Sequence, residues 1–298
     1  MEHRKIGSLS VSLVGIGCNN FGWRIDAAAT QQVVDAALDA GINFFDTADV
    51  YGTGQSEEYL GQALKGRRDK AIIATKFGLK MGDEMEGASP KYIRQAVDAS
   101  LRRLGVEVID LYQIHRPDDK TPIADTMEAL NEIVKAGKVR EIGCSNFSAE
   151  QLQAAHATHG PKYFVSVQNE YSLFHRDPEK EVLPECARTG IGFLPYFPLA
   201  NGLLTGKYRK GEIPEGSRAK DGFGPKIFTQ ENLDRTEALA TYAESQGHTL
   251  LELAFSWLAS HGQVSSVIAG AKTAEQVLAN SKAASWKLTQ SDLAAITP

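Results

Sequence analysis

Two spacings of apolar residues take turns along this chain. Short β-favouring runs recur at Val14-Gly15-Ile16-Gly17-Cys18, Gly41-Ile42-Asn43-Phe44-Phe45, Lys70-Ala71-Ile72-Ile73-Ala74-Thr75 and Val108-Ile109-Asp110-Leu111-Tyr112-Gln113-Ile114. They return at Lys138-Val139-Arg140-Glu141-Ile142-Gly143, Tyr163-Phe164-Val165-Ser166-Val167-Gln168, Ile191-Gly192-Phe193-Leu194-Pro195-Tyr196 and Val264-Ser265-Ser266-Val267-Ile268-Ala269-Gly270. Most gaps hold a single helical stripe, such as Val33, Val34, Ala37 and Leu38 within 29–40. Helix starts are marked by Ser89-Pro90, Thr121-Pro122, the capping box Ser148-Ala149-Glu150-Gln151 and Thr249 to Glu252. Stops are marked by Gly41, Gly66, Gly105, Gly137 and Gly190.

Eight strands alternating with helices predict a closed parallel (β/α)8 barrel, one domain over 1–298. Ile6 and Val11-Ser12-Leu13, joined through 7–10, predict a hairpin ahead of the barrel. An open doubly wound sheet would carry a third glycine after Gly15 and Gly17, and Val14 to Asn20 has none. The sixth barrel helix is expected to close at Gly190, and the helix after Ser148 to run to about His159. Residues 198–228, rich in Gly, Lys and Pro, form a long connection after the seventh strand, a place for a lid or binding element.

Composition narrows the function. A chain of 298 residues, 42% hydrophobic, can bury a large core. Its net charge of −5 and scattered Lys and Arg exclude a nucleic-acid surface. No apolar run approaches the ~20 residues of a membrane span. Met1 to Lys5 is followed by no apolar segment, so no signal peptide is expected. Cys18, Cys144 and Cys186 form neither a CxxC pair nor a zinc spacing, which points to a reducing, cytoplasmic setting and no metal.

The early strands end on ionisable groups: Asp46 with Tyr51 five residues on, Lys76, and His115. Strand C-termini are where such a barrel keeps its chemistry. Singly, each has an ordinary reading: a cap, a solvated lysine, a packed turn aromatic, a buried histidine. Together they form an acid–base device. A phenol titrating at about 10 is a poor acid at neutral pH, and the Lys76 ammonium, held by Asp46, would lower it. His115 could hydrogen-bond a substrate oxygen. None of them donates hydride, so a redox reaction needs a cofactor.

Asp46-Thr47-Ala48-Asp49-Val50-Tyr51-Gly52, with Ser56-Glu57 and Leu60-Gly61, resembles the D-T-A-x-x-Y-G-x-S-E-x-x-L-G signature of the aldo-keto reductase superfamily. Ile73-Ala74-Thr75-Lys76, Asp110 to His115, Gly143-Cys144-Ser145-Asn146-Phe147 and Val167 to Ser172 resemble its following blocks. Tyr196 to Ala200, Gly202 to Tyr208 and Ile268 to Lys272 complete the order, in the bacterial and potassium-channel-β-subunit-like branch. The resemblance implies Tyr51 as general acid in carbonyl reduction, Lys76 with Asp46 tuning it, and His115 orienting the carbonyl. It implies carboxamide contacts from Ser145, Asn146 and Gln168, stacking of the nicotinamide on Tyr196, and phosphates along Leu199, Gly202, Leu204, Lys207, Gly270 and Ala271. Lys272 and Thr273 fall where the family meets the 2′-phosphate, and Gln276 and Asn280 where it meets adenine.

Gln276 stands where many NADPH-specific members have Arg, Ala269 where Pro is common and Phe197 where Ser is common. NADPH (NADP+) is the expected cofactor, with NADH possible. Phe21, Trp23, Tyr51, Phe77, His115, Phe223 and Phe228 are the expected contacts for a small carbonyl substrate. Two other readings stay open: a class I aldolase-type lyase using Lys76 as Schiff-base nucleophile, and a cofactor-binding regulatory subunit with little turnover.

Overall fold

In a computed structural model of the chain, residues 1–158, 160–209 and 227–296 are described. Eight parallel strands follow one another around a barrel: β3 (Val14–Gly17), β4 (Phe44–Asp46), β5 (Ile72–Phe77), β6 (Ile109–Ile114), β7 (Val139–Ser145), β8 (Ser166–Glu170), β9 (Gly192–Tyr196) and β10 (Val267–Gly270). β10 pairs in parallel with β3. The last seam closes just before β10, where the Phe193 N–H donates to the Gln263 carbonyl (2.7 Å) and the Ser265 N–H to the Phe193 carbonyl (2.9 Å).

Helices cover the outside: α1 (Ala27–Asp39), α2 (Gln55–Ala63), α3 (Pro90–Leu104), α4 (Ile123–Lys135), α5 (Ala149–His156), α6 (Val182–Thr189), α7 (Gln230–Ser245), α8 (Leu250–Ala259), α9 (Ala274–Lys282) and α10 (Gln290–Ile296). Ser89 and Thr249 cap α3 and α8 as read from sequence, and both capping boxes form, Ser148 with Gln151 and Thr249 with Glu252. Each satisfies backbone donors that a helix start leaves open. Most buried apolar side chains, among them Ile93, Val97, Tyr112, Leu130, Phe255 and Trp257, lie in one cluster.

A second, smaller cluster sets the height of the site. The hairpin of β1 (His3–Ile6) and β2 (Leu9–Ser12) brings Ile6, Leu9 and Val11 against Phe44, Ala74, Leu111, Leu194 and Ile268 of the barrel strands. Side chains two residues apart on a strand share a face. The next inward layer on those strands is therefore Asp46, Lys76, Gln113, Tyr196 and Gly270. The apolar floor is the reason that this polar layer begins where it does.

Local details differ from the sequence reading. The hairpin turn is only Gly7-Ser8, because buried Leu9 already pairs with Ile6. Thr121 does not cap α4: its hydroxyl donates to Asp118 (2.8 Å), and Pro122 occupies the cap. β8 starts at Ser166, since Tyr163 turns outward onto the His156 ring (4.5 Å). α5 ends at His156, and the expected end, His159, lies outside the described residues. No helix of the described residues is long and apolar enough to cross a membrane.

Candidate active site

The polar layer is wired around one carboxylate. Lys76 Nζ donates to Asp46 Oδ2 (2.5 Å) and to the Thr47 carbonyl (2.9 Å). The other oxygen, Oδ1, accepts from Gln168 Nε2 (2.9 Å) and Gln113 Nε2 (3.1 Å). All four side chains are buried. Three donors satisfy this carboxylate where solvent does not reach it. Burial works against the Lys76 charge, but Asp46 and Tyr51 outweigh it, and the lysine ends above its ordinary pKa. Gln113 pairs in register with both Lys76 and Gly143. A Cβ at 143 would stand 3.3 Å from Gln113 Cγ and 2.4 Å from Ser166 Oγ, so only glycine leaves room there.

Tyr51 enters on a strained turn. Gly52, Thr53 and Gly54 have φ of 56°, 55° and 95°, and Thr53 is a branched residue in the left-handed region. Gly52 is obligatory twice over, since a Cβ would also meet the Gly22 carbonyl oxygen at 2.9 Å. The turn is braced from behind by buried Glu57, which accepts from Thr75 Oγ1 (2.6 Å) and Arg103 Nε (2.6 Å). Beside it lies buried Asp49, whose Oδ1 has no partner. Burial, and then the Glu57 charge, push the Asp49 carboxyl up to about 7.

The Lys76 ammonium sits 5.3 Å from the Tyr51 ring centroid. Burial raises the Tyr51 phenol; the ammonium pulls it down without cancelling that rise. The sequence expectation of a net lowering therefore does not describe this state, although the lysine acts in the expected direction.

The His115 and Tyr51 rings meet edge to face, 5.8 Å apart. Burial, Lys76 and Arg116 lower the His115 pKa to about 2, so the imidazole is neutral. Its Nδ1 is buried and unpartnered, which leaves Nε2 as the nitrogen available to the cavity. Asn146, at φ 63°, locks the neighbouring strands together. Its amide donates to the His115 carbonyl (2.9 Å) and Ser145 Oγ (3.1 Å), and its Oδ1 accepts from the Tyr196 hydroxyl (2.8 Å). Ser145 Oγ donates to the Gln168 carbonyl (2.7 Å).

These groups open into a cavity of about 780 Å³. Of the residues anticipated from sequence, Asp46, Tyr51, His115, Ser145, Asn146, Gln168, Tyr196, Leu199, Gly202, Lys207, Gly270, Lys272, Gln276 and Asn280 line it. Others do not. Leu204 and Ala271 are wholly buried behind the wall. Thr273 caps α9 through its hydroxyl. Phe21 and Phe77 are core residues, Phe77 stacking on Tyr112 at 4.8 Å. Trp23 stands 66% exposed with the Arg24 guanidinium on its ring, outside the lining. Phe228 packs on Tyr208 (4.6 Å) and is also outside it. Phe223 lies outside the described residues.

Sequence reasoning missed Gln113 in the polar layer, and Asn20, Arg116, Glu170, Phe197 and Asn201 in the wall. Residue type carries no sign of the left-handed backbone at Phe197 (φ 51°), whereas Asn201 (φ 56°) is a type that tolerates it.

A family model described as Aldo/keto reductase family matches residues 13–298. A probable voltage-gated potassium channel subunit beta of Oryza sativa subsp. japonica is 36% identical, over 95% of this chain and 91% of that protein. A probable aldo-keto reductase 1 of Glycine max is 37% identical, over 97% of this chain and 86% of that protein. Among solved structures, a glycerol dehydrogenase of Gluconobacter oxydans matches with a TM-score of 0.85 and 34% identity, over 99% of this chain and 93% of that chain.

Proposed function

The chain belongs to the aldo/keto reductase family and is an oxidoreductase; from that premise we propose that it reduces aldehydes and ketones to alcohols with NADPH, Tyr51 supplying the proton. The observation that carries this reading is the meeting of Tyr51, neutral His115 and the buried Lys76–Asp46 pair at one end of the cavity.

The residues present fit a nicotinamide dinucleotide. Tyr196 offers a ring on the wall, with its plane fixed by the hydroxyl bond to Asn146. Gln168 spends its amide on Asp46 and keeps Oε1 as an acceptor for a carboxamide. Asn146 and Ser145 have second lone pairs to add. At the far end, Lys207 and Lys272 line the cavity, and Lys272 precedes the N-terminus of α9, where backbone N–H groups favour an anion. The Lys272 N–H is held by Gln276 Oε1 (2.8 Å). NADH would lose only the contact of Lys272 with a 2′-phosphate.

When bound, the cofactor supplies the hydride. Tyr51 gives its phenolic proton to the carbonyl oxygen, and the Lys76 ammonium stabilises the phenolate left behind. Neutral His115 presents Nε2–H to the same oxygen and polarises it without giving up a proton. In alcohol oxidation Tyr51 runs in reverse as the base.

A Schiff-base lyase needs a neutral, reachable amine, whereas Lys76 is buried and held charged by Asp46. The relatives described as channel subunits leave a regulatory role as the second reading. The experiment is a panel of aldehydes and ketones with NADPH and with NADH, followed by loss of nicotinamide absorbance. Turnover supports the reductase. Cofactor binding with no turnover on any carbonyl favours the regulatory reading.

A further inference from the structure

Among the cavity's cations that form no ion pair within the described residues, one has no task in this chemistry. Three cations line the wall without an ion-pair partner among the described residues: Arg116, Lys207 and Lys272. The two lysines follow β9 and β10, the side assigned to the cofactor's phosphates. Arg116 follows β6, which lies four strands from β10 in either direction around the eight-stranded barrel. It therefore rises from the opposite rim, directly after His115.

We propose that Arg116 receives an anionic group of the substrate, so that the preferred carbonyl compound carries a carboxylate or a phosphate. This rests on the carbonyl-reductase reading and names its substrate class. Arg116, His115 and Tyr196 line the same cavity; the guanidinium charge adds to the lowering at His115 and pulls against the rise that burial imposes on Tyr196. An anion docked there is held beside the carbonyl oxygen that His115 orients. Guanidinium suits this role because it stays charged at any working pH and binds carboxylate or phosphate with paired N–H groups. Arg116 is exposed on the cavity side and makes no hydrogen bond to the protein among the described residues. Binding a substrate anion thus costs it no existing contact. Glu170 lines the same cavity and forms no ion pair with Arg116.

The test uses two matched substrate pairs at saturating NADPH: 4-oxobutanoate against butanal, and glyceraldehyde 3-phosphate against glyceraldehyde. The wild type should favour the charged member of at least one pair by roughly tenfold in kcat/KM, mainly through KM. The pair that shows it identifies the anion as carboxylate or phosphate. In Arg116→Gln that ratio should fall to within about twofold, and Arg116→Lys should keep part of it. Rising salt should shrink the wild-type ratio, since the site is open to solvent. A ratio near one in both wild-type pairs, or one that Arg116→Gln leaves unchanged, overturns the proposal while leaving the reductase reading intact. A wild type that reduces none of the four compounds with either nicotinamide overturns both.

Discussion

The Lys76 ammonium lies 2.5 Å from the Asp46 carboxylate, with neither side chain open to solvent. Breaking such a pair strands a charge in a dry interior, which typically costs about 3–5 kcal/mol. Asp46→Asn should lower unfolding stability by that order. Adding Lys76→Met should restore most of it while carbonyl reduction stays lost. Urea unfolding of both variants checks this. A single variant as stable as the wild type contradicts the assignment of Lys76 as charged.

Asp49 makes a separate prediction with a definite sign. Its ordinary pKa of 3.8 rises to about 7 in the fold. Between those values the folded chain holds a proton that the unfolded chain has released. Its contribution to stability is thus full below the lower value, declines as pH rises through the window, and is flat above it. Asp49→Asn should match the wild type near pH 4 and exceed it by roughly 2–4 kcal/mol near pH 8. Equal stabilities at the higher pH would mean that Asp49 is ionised at little cost.

His115 should leave no mark on the acid side of the pH–rate profile. With its pKa at about 2, it is neutral throughout the usual working range. Reduction of a neutral aldehyde under kcat conditions should show no break near the ordinary histidine value. A break there that disappears in His115→Gln would show that the imidazole is protonated in turnover.

Much of this architecture was legible because local chemistry and global fold agree. Ser148 with Gln151 and Thr249 with Glu252 mark helix starts in a way that survives tertiary packing. Asp46, Lys76 and His115 stood out because an ionisable residue ending an apolar run is conspicuous. Gln113 did not stand out. Its strand, Ile109–Ile114, is buried on both faces, so no alternation reveals which side chains point into the barrel. Phe21 and Phe77 misled for the converse reason: an aromatic at or just past the C-terminal end of a barrel strand looks the same in sequence whether it packs inward or meets a ligand. Arg116 and Phe197 each follow a cavity-lining residue, His115 and Tyr196, at the end of a strand, where strict alternation would turn them away.

Under the proposed reading, cofactor choice turns on Lys272. Its ammonium is exposed, so its effect on a 2′-phosphate is screened but not erased. Lys272→Ala should weaken NADPH binding by about tenfold and NADH binding by less than about twofold. Fluorescence titration with each nucleotide gives both constants. Equal losses would remove the argument that this end of the cavity selects NADPH.

The central claim is that Tyr51 alone supplies the proton, with Lys76, Asp46 and His115 arranged around it. The most direct test is Tyr51→Phe, measured for NADPH binding by fluorescence and for single-turnover carbonyl reduction. The account predicts wild-type cofactor affinity and a fall in reduction rate of about 10²–10⁴-fold. A variant that reduces the same aldehyde at the wild-type rate would contradict it.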